Sequence, residues 1–400
     1  MNRWADRVAA RAKRFHPSVC IDYDALPGDA AQWIAFTGGT PPRECLPTTA
    51  LLTALNAAWD AEPEALWYGD PQGYEPLREQ IARLLAERGV CLSAEEVLIT
   101  NGAQQAIDVL ARLLLEPGDR VLVEGPTYFG ALQVFEPYDV QIEAIPLDEY
   151  GIRLDMLEDA LARQPRPKLL YLVPTFQNPT GVTLTAERRV ELVALADHYG
   201  VAVIEDDPYG ELWFDAPPPP PLRAYHPDVF FVGTFSKSIA PGLRIGWLVA
   251  PRELIGTLTD IKESIDCQAD RLHQRAIARL LAVGWYTAHV ASVRPVYRRR
   301  CQMLERALAE QLTGWARWTM PGGGFFLWLE LPQNTDTDAL LPKCAEAGVV
   351  YVPGSAFFTE RTPQPSMRLG FSTLPEEQIV PGVERLASVV RAHVRPSLVS

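Results

Sequence analysis

Lys237 stands in the stretch Gly233-Thr-Phe-Ser-Lys237-Ser-Ile-Ala-Pro-Gly-Leu-Arg244-Ile-Gly-Trp247. Apolar residues 229–232 run into it and 245–249 run out, each a short buried-strand pattern, so the lysine falls in a loop between two strands. Small hydroxyl residues and an arginine beside it favour stripping water from its ammonium, which leaves a nucleophilic amine able to condense with a carbonyl. A solvated surface lysine is the alternative for this residue type. Lys13, Lys168, Lys262 and Lys343 all lack such a setting of Ser, Thr and glycine.

Other polar groups fall at strand ends. In Ile99-Thr-Asn-Gly102-Ala103-Gln104-Gln105, a strand gives way to a helix whose first N–H groups suit a phosphate, with an ordinary turn as the alternative. In Glu205-Asp206-Asp207-Pro-Tyr209, a carboxylate ending an apolar run can hold a proton on a ring nitrogen, and the tyrosine can donate to a phenolic oxygen. Pro174-Thr-Phe-Gln-Asn178-Pro-Thr-Gly181 makes a turn that either aims the Asn178 amide inward or is a plain loop. Arg244, seven residues after Lys237, can clamp a phosphate. Arg368 interrupts an apolar strand, where an unpaired charge is costly, so it calls for an anion such as a carboxylate. Together these groups describe a binding place for a phosphorylated pyridine aldehyde.

The elements that must position them alternate. Strands are expected over 97–100, 121–124, 141–147, 169–173 and 201–204, and helices over 103–115, 128–135, 154–162 and 186–199. Continuous Val/Ile/Leu strands separated by single helices imply a mostly parallel sheet covered on both faces, with ligands at the carboxyl ends of its strands. Residues 16–48 read as an irregular arm containing the short strand and turn Ile34-Ala-Phe-Thr-Gly38-Gly39. The prolines 217–221 read as a surface loop, with a peptide-ligand role as the alternative. Residues 252–312 read as long helices whose arginines 298–300 form a solvated face. From Trp315 a smaller α+β pattern begins, with strands at 322–330, 349–352 and 367–372, a helix at 338–347 and a terminal helix. The expected division is 1–48 for the N-terminal helix and arm, 49–290 for a large domain and 291–400 for a small one.

Composition narrows the partners. Four hundred residues, 48% of them hydrophobic, can bury a sizeable core. A net charge of −13 disfavours nucleic acid. No apolar run approaches the roughly 18 residues of a membrane span, so a cytoplasmic protein without membrane attachment is expected. Cys20, Cys45, Cys91, Cys267, Cys301 and Cys344 are scattered, which fits reduced thiols and no metal site. The basic opening is read as a packing helix presenting Trp4, Val8, Ala12 and Phe15 on one face, with a transit peptide as the alternative.

The ordered set Asn178-Pro-x-Gly181, Asp206-x-x-Tyr209, Ser236-Lys237, Arg244 and Arg368 resembles the fold-type-I pyridoxal-phosphate aminotransferases of class I/II. Phe36-Thr-Gly-Gly39, Gly323-Gly-Phe-Phe-Leu-Trp328 and Val352-Pro-Gly-Ser-Ala-Phe-Phe358 resemble the branch of 2-aminoadipate and kynurenine aminotransferases and MocR-type regulators. The resemblance covers residue 34 to the C-terminus. It implies an α/β fold with a mostly parallel seven-stranded sheet between helices, plus a smaller α+β domain. It also implies pyridoxal 5′-phosphate as cofactor, an L-amino acid and a 2-oxo acid as substrates, and a homodimer with shared active sites.

By the same resemblance Lys237 would carry the cofactor as a Schiff base and move the substrate proton. Asp206 would pair with the ring nitrogen, Asn178 and Tyr209 would bind the phenolic oxygen, and Tyr128 would stack on the ring. Gly102, Ala103, Gln104, Thr234, Ser236 and Arg244 would surround the phosphate, joined by Tyr68 of a second subunit. Arg368 would take the substrate carboxylate, with Gly39 and Asn178 lining the pocket. Ala103 stands where many members have serine, so the phosphate would meet a backbone N–H there. Arg14, Arg43 and Arg271 are candidates for an acidic substrate tail, with surface roles as the alternative. Another pyridoxal-phosphate reaction (oxidase, lyase or carbon–carbon bond formation) and a cofactor-sensing regulator are the alternative functions.

Overall fold

The computed structural model describes residue 4 and residues 7–16, 23–61 and 63–395. The large sheet is built in chain order from β-strands that follow one another through helices. After β1 (Ile34–Ala35), α1 (Thr48–Ala61) and α2 (Glu75–Ala86) come β2 (Val97–Thr100), α3 (Ala103–Leu114), β3 (Arg120–Gly125) and α4 (Phe129–Phe135). Next are β4 (Gln141–Asp148), β5 (Gly151–Ile152), α5 (Leu154–Ala162), β6 (Pro167–Leu172), α6 (Ala186–Tyr199), β7 (Ala202–Asp207), β8 (Phe230–Thr234) and β9 (Gly246–Val249). Three helices follow, α7 (Arg252–Asp266), α8 (Arg271–Ala282) and α9 (Trp285–Leu312). The remainder comprises β10 (Arg317–Trp318), β11 (Phe326–Glu330), α10 (Thr337–Glu346), β12 (Val349–Val350), β13 (Val352–Pro353), β14 (Ser366–Gly370) and α11 (Glu376–His393).

The strand order of the large sheet is β2-β9-β8-β7-β6-β3-β4-β5. Strands β4, β3, β6, β7 and β8 run parallel, each joined to the next through a helix or a long connection, as a parallel pair requires. Strand β9 is antiparallel to both of its neighbours, β8 and β2. Its reversal follows from the short link 235–245, which contains no crossover helix. The eighth strand, beyond the seven expected, is the two-residue β5. It folds back on β4 where the Tyr150 N–H bonds the Asp148 carboxylate at 2.8 Å, a local turn the strand pattern does not show. One face of the sheet buries Leu98, Val121, Tyr171, Ile204 and Val232, and the other Leu122, Leu170, Leu172 and Val203.

A second, antiparallel sheet has the order β10-β11-β14-β13. The expected strand 349–352 is divided: Val349 and Val350 pair with Ile34 and Ala35 of the arm, whereas Val352 pairs with Arg368. The expected strand 322–330 begins only at Phe326, because the left-handed Gly324 (φ 73°) bends the approach to it. The N-terminal packing helix is not found among the described residues. A 3-10 turn covers Ala10–Arg14, Trp4, Val8 and Phe15 are exposed, and the segment is held by polar contacts, Arg14 to Asp139 and Gln133 to the His16 carbonyl. The arginine cluster also departs from a solvated face. Arg300 is buried and bridges the Glu44 carboxylate and the Ser372 carbonyl, tying the arm to the C-terminal region. No single described helix is long and apolar enough to cross a membrane, and no metal-ligand cluster occurs among the described residues. Cys45, Cys91, Cys267, Cys301 and Cys344 are free; Cys20 lies outside the described residues.

Candidate active site

Strands β2, β3, β6, β7 and β8 end at the same edge of the sheet, and the loops that leave them enclose a cavity of about 300 Å³. Ala103, Gln104, Tyr128, Asn178, Asp206, Tyr209, Thr234, Ser236, Lys237, Arg244, Arg368 and Gly39 all line it. Gly102, the residue before Ala103 and the N-cap of α3, is not among the lining residues. Tyr68 does not reach the cavity: it is 84% exposed, beside the exposed Trp67 and Leu66.

Strand alternation selects Asp206 from its acidic neighbours, because successive side chains on β7 point to opposite faces. Glu205 and Asp207 face one way and meet Arg189 (3.5 Å) and Arg88 (2.6 Å). Asp206 faces the other way. Its Oδ2 accepts the Tyr171 hydroxyl at 2.7 Å, and its Oδ1 is buried with no partner. Burial raises its pKa to about 7, against the lowering effect of Tyr171 and Lys237.

Lys237 Nζ donates to the Gly39 carbonyl at 2.8 Å. Burial, aided by the positive charges of Arg368 and Arg244, lowers its pKa to about 8, so the neutral amine is far more accessible near neutral pH than in an ordinary lysine. The sequence setting of this lysine is thus matched by its surroundings.

The opposite corner is electropositive. Gly102 (φ 81°) turns the chain into α3, whose first N–H groups have no carbonyl partner within the helix. A Cβ on Gly102 would lie 2.6 Å from Arg244 Nη2, so only glycine lets the guanidinium lie against this turn. Arg244 bonds the carbonyls of Asn101 (3.1 Å) and Pro241 (3.4 Å) and has no carboxylate partner among the described residues. The hydroxyls of Thr234 and Ser236, 2.9 Å apart, complete the corner. Gln104 donates to the Gly130 carbonyl at 2.6 Å, which fixes α3 against α4.

Arg368 enters from the second sheet, in register with Trp328 and Val352. It is buried, donates to Asn178 Oδ1 (2.9 Å) and the Thr37 carbonyl (3.2 Å), and lies 4.0, 5.0 and 5.8 Å from the ring centroids of Phe326, Phe357 and Phe129. Burial lowers its pKa to about 10, which leaves it cationic at neutral pH. Its Nε has no partner. Tyr209 packs edge-on to Phe325 and Phe326, and burial pushes its phenol pKa up, so it remains a donor.

An unpaired buried carboxylate oxygen, a lysine of lowered pKa and a helix N-terminus flanked by Arg244 fit the ring nitrogen, carbonyl and phosphate of a phosphorylated pyridine aldehyde. Residues 33–386 match the Aminotransferase class I and II family. The chain belongs to that family. This aminotransferase is 37% identical over 370 residues to aromatic-amino-acid aminotransferase 1 of Thermococcus litoralis, covering 90% of this chain and 89% of the relative. It is 36% identical over 364 residues to the 2-aminoadipate transaminase of Thermus thermophilus, covering 90% of each. The crystal structure of Pyrococcus horikoshii kynurenine aminotransferase in complex with PMP superposes with a TM-score of 0.88 at 34% identity, over 96% of this chain and 98% of that one. The protein is a fold-type-I aminotransferase, and its cofactor is pyridoxal 5′-phosphate.

Reading the sequence missed Tyr171, Glu124 and Phe129. Tyr171 and Glu124 are polar residues at the ends of apolar strands, next to the edge where ligands lie, and that position is the signal that was available. Glu124 is fully buried, accepts from the Val173 N–H (2.9 Å) and Gln177 (3.1 Å), and is raised by burial to about 7. Phe129, the most distant of the three rings around Arg368, is adjacent to Tyr128 and carries no separate mark in the sequence.

Proposed function

We propose that this aminotransferase takes its amino group from an L-amino acid with an aromatic or other apolar side chain, passes it to a 2-oxo acid, and works as a cytoplasmic homodimer. The observation that carries the substrate class is the charge inventory of the cavity. Lys237, Arg244 and Arg368 are the cations among the described residues lining it, and all three have uses other than holding a second carboxylate. Arg14 is paired with Asp139, Arg271 bonds the carbonyls of Glu64, Trp67 and Tyr68, and Arg43 is exposed; none of them lines the cavity. Phe129 and Phe326 beside Arg368 offer apolar surface to a side chain.

When bound, pyridoxal phosphate supplies an electron-withdrawing ring and a carbonyl carbon that accepts the amino group. The residues do the rest. Asp206 Oδ1 holds the ring-nitrogen proton, and Tyr209 and Asn178 donate to the phenolic oxygen. The α3 N-terminus at Gly102, Ala103 and Gln104, the hydroxyls of Thr234 and Ser236, and the Arg244 guanidinium bind the phosphate. Tyr128 covers the ring. Arg368 orients the substrate by its α-carboxylate, and Lys237 Nζ takes the proton from the substrate's Cα. Gly39 lines the pocket and keeps a carbonyl within reach of Lys237.

Support for a homodimer comes from apolar surface that a single chain leaves open. Leu52, Trp59, Leu66, Trp67 and Tyr68 are all more than half exposed. Tyr68 of a second copy would complete the phosphate corner. Residues 1–48 are read as an arm, 49–290 as the cofactor-binding unit and 291–400 as the smaller unit, with α9 running through the junction. Steady-state kinetics with matched aromatic, aliphatic and acidic amino acids tests the substrate class: kcat/KM at least about tenfold higher for phenylalanine than for glutamate is expected, and the reverse order would overturn it.

A further inference from the structure

The buried hydroxyl of Tyr171 has no use in the mechanism above, yet it makes one short contact, to Asp206 Oδ2 at 2.7 Å. Tyr171 on β6 is in register with Ile204 on β7, so it shares a sheet face with Ile204 and, two residues on, with Asp206. Its ring is fully buried, edge-on to Phe135 at 5.8 Å, and is not part of the cavity lining. The phenol is held protonated by burial and by the neighbouring carboxylate, so it acts as a donor throughout the working pH range.

We propose that Tyr171 is a positioning residue that acts on the cofactor through Asp206, locking Oδ2 so that Oδ1 alone faces the cavity and stabilising the ionised carboxylate. The inference rests on the reading of Asp206 as partner of the ring nitrogen. The carboxylate and the nitrogen share one proton. A hydrogen bond donated to the carboxylate makes it a weaker base, which leaves the proton on the nitrogen. Without that bond Asp206 Oδ1 would be the stronger base and would keep the shared proton itself, leaving the ring nitrogen neutral. The other charged or titratable groups felt at this carboxylate are Asp207 on its own strand, Lys237 after β8, Glu124 and Tyr128 at the end of β3, and Tyr209. They act on it through charge, whereas Tyr171 is hydrogen-bonded to it.

The test is the nitrogen-15 resonance of ring-labelled pyridoxal phosphate bound to wild type, Tyr171→Phe, Asp206→Asn and the double variant, together with kcat and KM. The expected result is a pyridinium resonance in wild type that moves toward neutral pyridine in Tyr171→Phe. Its kcat should fall about tenfold or more, the scale of one hydrogen bond to a charged group, with KM little changed. In the Asp206→Asn background, Tyr171→Phe should add no further shift. A wild-type resonance in Tyr171→Phe alongside a shifted one in Asp206→Asn would overturn the role of Tyr171. An unshifted resonance in Asp206→Asn would instead overturn the reading of Asp206. Cofactor retention by Tyr171→Phe after gel filtration reports folding separately from the proton position.

Discussion

Arg368 and Asn178, 190 positions apart in sequence, are joined by a 2.9 Å hydrogen bond from the guanidinium Nη1 to the amide Oδ1. One belongs to the second sheet and the other to the loop after β6, so the bond ties the proposed carboxylate site to the proposed cofactor site. With Oδ1 engaged by Arg368, the Nδ2 group is left to donate toward Tyr209.

Arg368→Lys keeps the charge but loses the planar fork that reaches Asn178, the Thr37 carbonyl and a carboxylate together. Expected is a loss in kcat/KM of about 10- to 100-fold, the range for a hydrogen bond to a charged group. Steady-state assays check it. Undiminished kcat/KM would remove Arg368 from substrate binding.

Lys237 makes a pH prediction. Its amine reacts only when neutral, and its pKa is lowered from 10.5 to about 8 by burial. The rate of pyridoxal-phosphate capture by the apoenzyme should therefore rise with pH and reach half its maximum near 8, as followed by visible absorbance. A midpoint near 10 would mean an ordinary lysine. Lys237→Ala should lose at least about 10²- to 10⁴-fold in turnover, the contribution of a positioned acid–base group.

Asp206 predicts a stability effect in the apoenzyme. Its folded pKa of about 7 lies above the ordinary 3.8, so the folded state binds the extra proton between these values. Stability from this group is fully present below about pH 4 and is lost as pH rises through about 7. The Asn variant is neutral throughout. Apo Asp206→Asn should match wild type in melting temperature near pH 4 and exceed it near pH 8, by on the order of a few degrees. Parallel melting curves across that range would contradict the burial of this charge.

Tyr68→Phe tests the shared site. The protein is expected to sediment at twice the mass of one chain, and the variant to hold pyridoxal phosphate about tenfold more weakly with an unchanged amino-acid KM. A fully active monomer would exclude a contribution from a second copy.

The large sheet was legible in the sequence because its strands are unbroken apolar runs, and helices 154–162 and 186–199 appear with the expected limits. The cavity-lining residues were legible because chemistry-bearing side chains fall at strand ends, where a parallel sheet collects them on one edge. What escaped depends on long-range contact. The 349–352 segment is one apolar run, yet the arm claims half of it and Arg368's strand the other half. Arg300 looks solvent-facing within an arginine-rich helix, and only the approach of Glu44 and Ser372 explains its burial. Trp4, Val8 and Phe15 share a helical period, but no apolar surface of the same chain covers them.

The most direct test of amino-group transfer is a half-reaction. Purified enzyme carrying pyridoxal phosphate is mixed with phenylalanine in the absence of any oxo acid, and cofactor and products are quantified. Conversion of the cofactor to its amine form is expected, with one equivalent of the 2-oxo acid released per active site, and restoration of the original absorbance when a second 2-oxo acid is added. Release of carbon dioxide or free ammonia, with the cofactor unchanged, would contradict it.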